Sequence, residues 1–177
     1  CPPCITVPRG SGCCAVVNFS PTASGGTPPL TIISSPPSGT CFPVGTTTVT
    51  SYARDSQNRQ SQPCTFTVTV LGSICGTVWF DTECDGVRDS DDNGLGGVKV
   101  QLKTTGSCPQ VIATKFTSSN GSYCFNIAAG TYNVVLVPPC SYSNSTSLQV
   151  TKTISPSNCQ ATVDFGVCCS SQMTGGY

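Results

Sequence analysis

Fourteen cysteines spread along 177 residues constrain this chain more than any other feature. They stand at positions 1, 4, 13, 14, 41, 64, 75, 84, 108, 124, 140, 159, 168 and 169. The count is even, and the density approaches that of secreted scaffolds held together by disulfides. Each bridge would contribute about 2–4 kcal/mol, mainly by restricting the unfolded chain. An oxidising compartment is therefore expected, extracellular or at a cell surface. Zinc binding and redox chemistry are the competing uses of cysteine. Cys1-Pro2-Pro3-Cys4 has redox spacing, but a reactive dithiol draws its low thiol pKa from a helix N-terminus, and nothing helical follows. A zinc site would need a second spaced pair, whereas Cys13-Cys14 is adjacent. Structural bridging is the reading that stands.

A chain so stapled must still choose between helix and strand. Charged residues make up 9% of this one and the formal net charge is zero, so no basic footprint points to nucleic acid or to an anionic membrane. Ser, Thr, Gly and Pro take the place of Lys and Glu, and Gly and Pro are the poorest residues in helix interiors. The expectation is an all-β protein. The longest apolar runs, such as Val134-Val135-Leu136-Val137, are far short of a membrane span. The sequence begins at a cysteine with no initiator methionine or signal peptide, so a processed or truncated segment is expected.

Two halves read differently. Residues 1–72 hold short β-type runs at 5–7, 15–17, 30–33, 46–53 and 65–71. The last is the clearest: Phe66, Val68 and Val70 alternate with Thr67 and Thr69, the period of a half-buried strand. Residues 73–167 restart the pattern, with a strand ending at Phe80 and others at 97–103, 111–117, 122–127, 131–137, 147–153 and 160–167. In residues 97–103, Val98, Val100 and Leu102 face one way and Lys99, Gln101 and Lys103 the other. Two tandem β-sandwiches follow, with a flexible tail over 168–177.

Six of the eight acidic residues crowd into positions 81–92: Asp81, Glu83, Asp85, Asp89, Asp91 and Asp92. With Arg88 the stretch carries a formal charge of −5 (six acidic, one basic), which repels itself unless a cation intervenes. Counting from Asp81, acidic residues fall at relative positions 1, 3, 5, 9 and 12. Gly86 takes the sharp-turn position 6, and Val87 at position 7 would offer its carbonyl. Such spacing lets one loop wrap calcium with oxygen ligands. The flanks read as strands, so this would be the loop without the two helices that usually hold it. A solvated acidic loop with no ion is the alternative.

These residues carry family patterns. Gly76 to Asp81, Asp85-Gly86-Val87-Arg88-Asp89, Gly94 to Val100, Gly121 to Phe125, Ala129-Gly130-Thr131-Tyr132 and Asp164-Phe165-Gly166 resemble the B-type repeat of serine-aspartate-repeat adhesins of Gram-positive bacteria. The resemblance implies a prealbumin-like β-sandwich that binds calcium and acts as a rigid spacer. It maps the family's calcium positions onto Asp81, Glu83, Asp85, Asp89 and Asp92. Six cysteines in this half depart from that family. The first half resembles a hyalin repeat, an immunoglobulin-like module of extracellular adhesion proteins. That likeness rests on Cys1-Pro2, Ile5-Thr6-Val7, Pro37 to Thr47, Ala53-Arg54-Asp55 and Cys64 to Val68. It implies a Cys1–Cys64 disulfide.

The remaining signals point away from catalysis. The sequence has no histidine, the commonest general base near neutral pH, and outside the acidic loop only Asp55 and Asp164 remain. Trp79 reads as core. No catalytic residue is expected. Asn18, Asn120 and Asn144 each open an N-x-Ser/Thr triplet, candidate acceptors for N-linked glycans, with Asn120 and Asn144 expected in loops. The cysteines divide as six, six and two, so each module can close its own bridges and Cys168-Cys169 is left over. Adjacent cysteines rarely bond each other. The pair must fold back into the second module or link to another copy, head to tail. The expected function is a rigid structural or adhesive subunit of a surface fibre, appendage or matrix. The alternative is an ectodomain that recognises a glycan or protein ligand.

Overall fold

The computed structural model describes residues 1–169. It contains no helix among them, and therefore none long and apolar enough to cross a membrane. The chain divides into two compact units, one of Cys1–Gly72 with Ser155–Cys159, the other of Ser73–Ile154 with the chain from Gln160 onward.

The first unit is an immunoglobulin-like sandwich. It contains β1 (Ile5–Pro8), β2 (Cys14–Val16), β3 (Thr31–Ser35), β4 (Cys41–Pro43), β5 (Gly45–Arg54) and the start of β6 (Cys64–Phe80). The threonine-rich β5 lies antiparallel to β6, with Val49 opposite Phe66. On the other edge of β6, β1 runs parallel, with Ile5 opposite Val68. β3 borders β5, and β2 pairs with β4 separately. Alternation delivers Val49, Phe66, Val68 and Val70 to the core, where Phe42 and Val44 are also buried. Phe19 meets Phe66 edge-on with ring centroids 4.9 Å apart and Phe42 at 6.3 Å. Such contacts add about 0.5–1.5 kcal/mol beyond the area they bury.

Cys1 is bonded to Cys64 and Cys14 to Cys41. Cys13 is bonded to Cys159, so the expected self-contained bridging of six and six does not hold. The physical reason is strand geometry. Successive side chains leave opposite faces, so Cys14 turns to Cys41 on its partner strand while Cys13 turns away. Ser155–Cys159 supplies its partner and joins the first unit.

The second unit is built from the remainder of β6 with β7 (Asn93–Gly94), β8 (Lys99–Thr104), β9 (Val111–Phe116), β10 (Ser122–Ile127), β11 (Gly130–Val137), β12 (Tyr142–Asn144), β13 (Gln149–Ile154), β14 (Gln160–Thr162) and β15 (Phe165–Cys169). One sheet has the order β13-β11-β8-β9. In it Val100 and Leu102 are buried, together with Val134 and Leu136, and Val98 just before β8 is buried as well. Opposite, β14 and β15 run parallel to β6, and β12 borders β15. Trp79 is a core residue, 5% exposed, beside Phe125, Phe165 and Val167 in the buried set. Residues 168 and 169, expected to begin a flexible tail, are the last two of β15. The rest of that tail lies outside the described residues.

Candidate metal centre

The acidic loop starts where β6 ends. Asp81 donates its amide N–H to Val167 O of β15 (2.8 Å), which fixes the loop's first residue to the sandwich. Its side chain is 1% exposed and its Oδ2 accepts the Gly86 N–H (2.8 Å). Burial alone would push the Asp81 carboxyl up. The nearby Ser145 hydroxyl and the amides of Gly86, Cys84 and Asp85 outweigh it and hold the group below the usual carboxylate range. Gly86 has φ +79°, and a Cβ there would meet Ser145 O at 3.0 Å. The turn requires glycine on both counts.

Above this anchor Glu83, Asp85 and Asp89 converge. One carboxylate oxygen from each lies within 4.8 Å of the others, and all three side chains are exposed. Repulsion from Asp91, Asp89 and Asp85 pushes the Glu83 carboxyl up. Desolvation by the surrounding loop, followed by the charges of Asp85, Asp92 and Asp91, does the same to Asp89. The remaining expected ligands are placed differently. Asp92 Oδ1 accepts the Thr82 N–H and its Oδ2 the Asp89 N–H, both at 3.0 Å. It thus ties the two ends of the loop together. Val87 donates its N–H to Asp85 Oδ1 (2.8 Å). The donor set is all oxygen, the chemistry of a hard cation, and its converging charges fit calcium.

Two further features hold the loop. Cys84, at φ +61°, is bonded to Cys168 of β15. Cys168 is 1% exposed, so it is not available to link copies, and only Cys169 of the pair remains unbridged. Strand alternation explains the split, since neighbouring residues of β15 face opposite ways. The Arg88 guanidinium lies 5.9 Å from the Trp79 ring centroid, a cation–π contact. Cys75 is bonded to Cys124.

Asp55, one of the residues that carry the hyalin-repeat likeness, anchors a hydrogen-bonded turn in the first unit. Its Oδ1 accepts the Gln57 and Arg59 amides, and its Oδ2 the Thr27 amide and Arg59 Nε. Arg59 Nη2 completes the ion pair at 2.8 Å. The Thr27 amide first, then the Arg59 side chain and the remaining amides, hold the carboxyl at about 2. A lowered carboxylate pKa stabilises the fold above its unfolded value and ceases to do so as pH falls through the folded value. The first unit should therefore lose stability between about pH 4 and pH 2. Protection of the Thr27, Gln57 and Arg59 amides against hydrogen exchange, relative to the unfolded rate at the same pH, should fall across that window, and Asp55→Asn should flatten the dependence. The signal for this site was Asp55 standing four residues before Arg59.

The model of the SdrD B-like domain family matches residues 72–173, more than half of the chain. The chain belongs to that family. Ahead of this B-like domain, the HYR domain model matches residues 2–70. Among relatives, serine-aspartate repeat-containing protein I of Staphylococcus saprophyticus is 37% identical over 108 residues, 60% of this chain and 5% of that protein. The fibrinogen-binding protein of Staphylococcus epidermidis is 37% identical over 76 residues, 42% of this chain and 7% of that protein. The chain thus spans a small fraction of the length of these relatives. The major pilin subunit BcpA of Bacillus cereus aligns at TM-score 0.43 and 16% identity, over 71% of this chain and 38% of that one. Five disulfides and a B-like domain of this family belong to an extracellular or cell-surface protein.

Proposed function

We propose that this chain is a non-enzymatic structural segment of a surface fibre, appendage or matrix, whose B-like domain is a disulfide- and calcium-stabilised spacer. The observation that carries the reading is the double tie of the acidic loop to β15, through Asp81 N–H to Val167 and through Cys84 to Cys168. Glu83, Asp85 and Asp89 would hold the ion, Asp81 and Asp92 would keep the loop in shape, and the ion would neutralise the converging charge. Load on the strand would then be carried by a covalent bridge and a chelated loop. Copies or neighbouring modules would follow one another head to tail. Force spectroscopy of the full chain tests this: chelator and reductant should each lower the unfolding force of the second unit. Equal forces in all conditions would overturn it.

A second reading, ligand recognition, is favoured by a cavity of about 340 Å³ in the first unit, lined by Leu30, Ile32, Tyr52, Arg59, Gln60 and Gln62 among others. Saturable binding of fibrinogen by the isolated chain, blocked by Tyr52→Ala, would support it. Ordered filaments by electron microscopy with no such binding would favour the spacer.

Glycans belong to the same proposal. Asn120 is exposed and its Oδ1 accepts from Ser118 Oγ and the Ser122 N–H, while its amide nitrogen makes no hydrogen bond among the described residues. Asn144, expected in a loop, instead ends β12, half-buried, with Nδ2 donating to Thr146 O (2.7 Å). Asn18 is exposed just after β2. In a glycosylating host, glycopeptide mass spectrometry should find Asn120 occupied more fully than Asn144; the reverse order would count against this.

A further inference from the structure

Four cysteines carry no bridge: Cys4, Cys108 and Cys140, all exposed, and Cys169, half-exposed. Three of them, Cys108, Cys140 and Cys169, belong to the second unit, and the strand register sorts these three. β8 and β11 are antiparallel, with Tyr132 opposite Thr104 and Val137 opposite Lys99. Cys108 follows Thr104 at one end of this pair, while Cys140 follows Val137 at the other. Those two thiols are kept apart by the length of the strands. Cys140 and Cys169 are brought together. Tyr142 of β12 is the direct partner of Cys169, and Ser143 that of Cys168. Cys140 lies two residues before Tyr142, inside the turn closed by the Tyr142 N–H to Pro139 O bond (3.0 Å).

Strand alternation also fixes the face from which Cys169 projects. Cys168 points inward to Cys84, so Cys169 leaves the opposite face of β15. Directly paired residues project to the same face, so Cys169 shares the face of Tyr142. Cys140 stands in the turn, two residues before the direct partner of Cys169, and a disulfide needs Cα atoms roughly 4.4–6.8 Å apart. Bringing the two cysteines into that range involves only the turn beside the outermost strand of its sheet. Turn residues can move in this way, whereas ladder residues are held by paired hydrogen bonds.

We propose that Cys140 and Cys169 form a sixth disulfide. The oxidant is a small-molecule or enzyme disulfide of the extracellular compartment. One cysteine, as its thiolate, attacks that disulfide, forming a mixed disulfide and expelling one reduced thiol. The second cysteine, as its thiolate, then displaces the other thiol. The two electrons and the two protons given up by the cysteines end on the reduced oxidant. The bridge fastens β15 on its outer face, next to the Cys84–Cys168 bond on its inner face. The last described strand is then held covalently on both sides.

Thiol titration of the full chain, secreted under oxidising conditions and unfolded without reductant, gives a test that depends on sign. Under the proposal Cys140→Ser releases Cys169, and the count rises by one thiol relative to wild type. Cys169→Ser releases Cys140 and raises it equally. If both cysteines are free, each variant lowers the count by one, and the proposal fails. Peptide mapping after alkylation identifies the partner. A Cys140 peptide joined to the peptide containing residues 168–169 in a monomer supports the bridge, and one joined to Cys4, to Cys108 or to a second chain overturns it.

Discussion

Removing calcium should lower the melting temperature of the second unit by about 10 °C or more. The magnitude follows from linkage. At a hundredfold excess over Kd, a ligand bound only by the folded state stabilises it by about 2.7 kcal/mol. In a domain of roughly 100 residues each kcal/mol moves the melting point by about 4–8 °C. Affinities of extracellular modules run at about 10⁻⁴–10⁻³ M, so tens of millimolar calcium should reach that excess. Trp79 is the sole tryptophan and carries the Arg88 contact from the loop, so its fluorescence reports on this unit and this loop alone.

Substitution within the cluster should change the sign of the effect with the ion. The Glu83 carboxyl is raised chiefly by repulsion, and that of Asp89 by desolvation and then by repulsion. A raised carboxylate weakens the fold at pH above its folded value, and that penalty fades as pH falls. In chelator, therefore, Glu83→Gln or Asp89→Asn should leave the second unit slightly more stable than wild type, and acidification toward pH 4 should do the same to wild type. In calcium the same variants should be less stable, because a ligand is gone. Asp81→Asn is a different experiment, since Asp81 is buried and holds the Gly86 amide; it should destabilise in both conditions. Melting curves that ignore both chelator and substitution would sink the calcium proposal while leaving the fold untouched.

Much of this was legible in the residues, and the parts that were not share a cause. Alternation gave the buried faces of β6 and β8 because period two has one physical meaning in a strand of a two-layer protein. The acidic spacing located the loop, since charge crowding is visible without coordinates. Division of labour inside the loop was not visible. Asp81, Asp85 and Asp92 are the same residue type and all accept amide N–H groups, and only the convergence of Asp85 with Glu83 and Asp89 sets it apart. Asn144 read as a loop residue from its polar neighbours, yet three residues suffice for β12 to pair with β15. Bridge topology was the least accessible. Local parity assigned six cysteines to each half, whereas Cys13–Cys159 closes over a separation of 146 residues, and sequence carries no record of which distant segment will lie beside a given strand.

Gly121→Ala should be among the most damaging single substitutions in the chain, costing on the order of 4 kcal/mol and well over 10 °C in melting temperature. Gly121 lies where the turn after β9 passes over β6. Its carbonyl accepts the Val78 N–H (2.9 Å), and Val78 O accepts the Leu95 N–H (2.8 Å). A Cβ at Gly121 would collide with Val78 O, and would lie 2.8 Å from Leu95 N and 2.9 Å from Gly94 Cα. All three are backbone atoms of paired segments, so none can give way without breaking those bonds. Gly97 provides the control. Its φ of +76° is close to the +81° of Gly121, but no atom lies within 4 Å of its added Cβ. Gly97→Ala therefore isolates the left-handed strain, about 1–2 kcal/mol. The difference between the two variants, followed by Trp79 fluorescence in urea, measures the close approach by itself. Equal losses would mean that the segment shifts freely, and the motif glycines at 94 and 121 would then need another explanation.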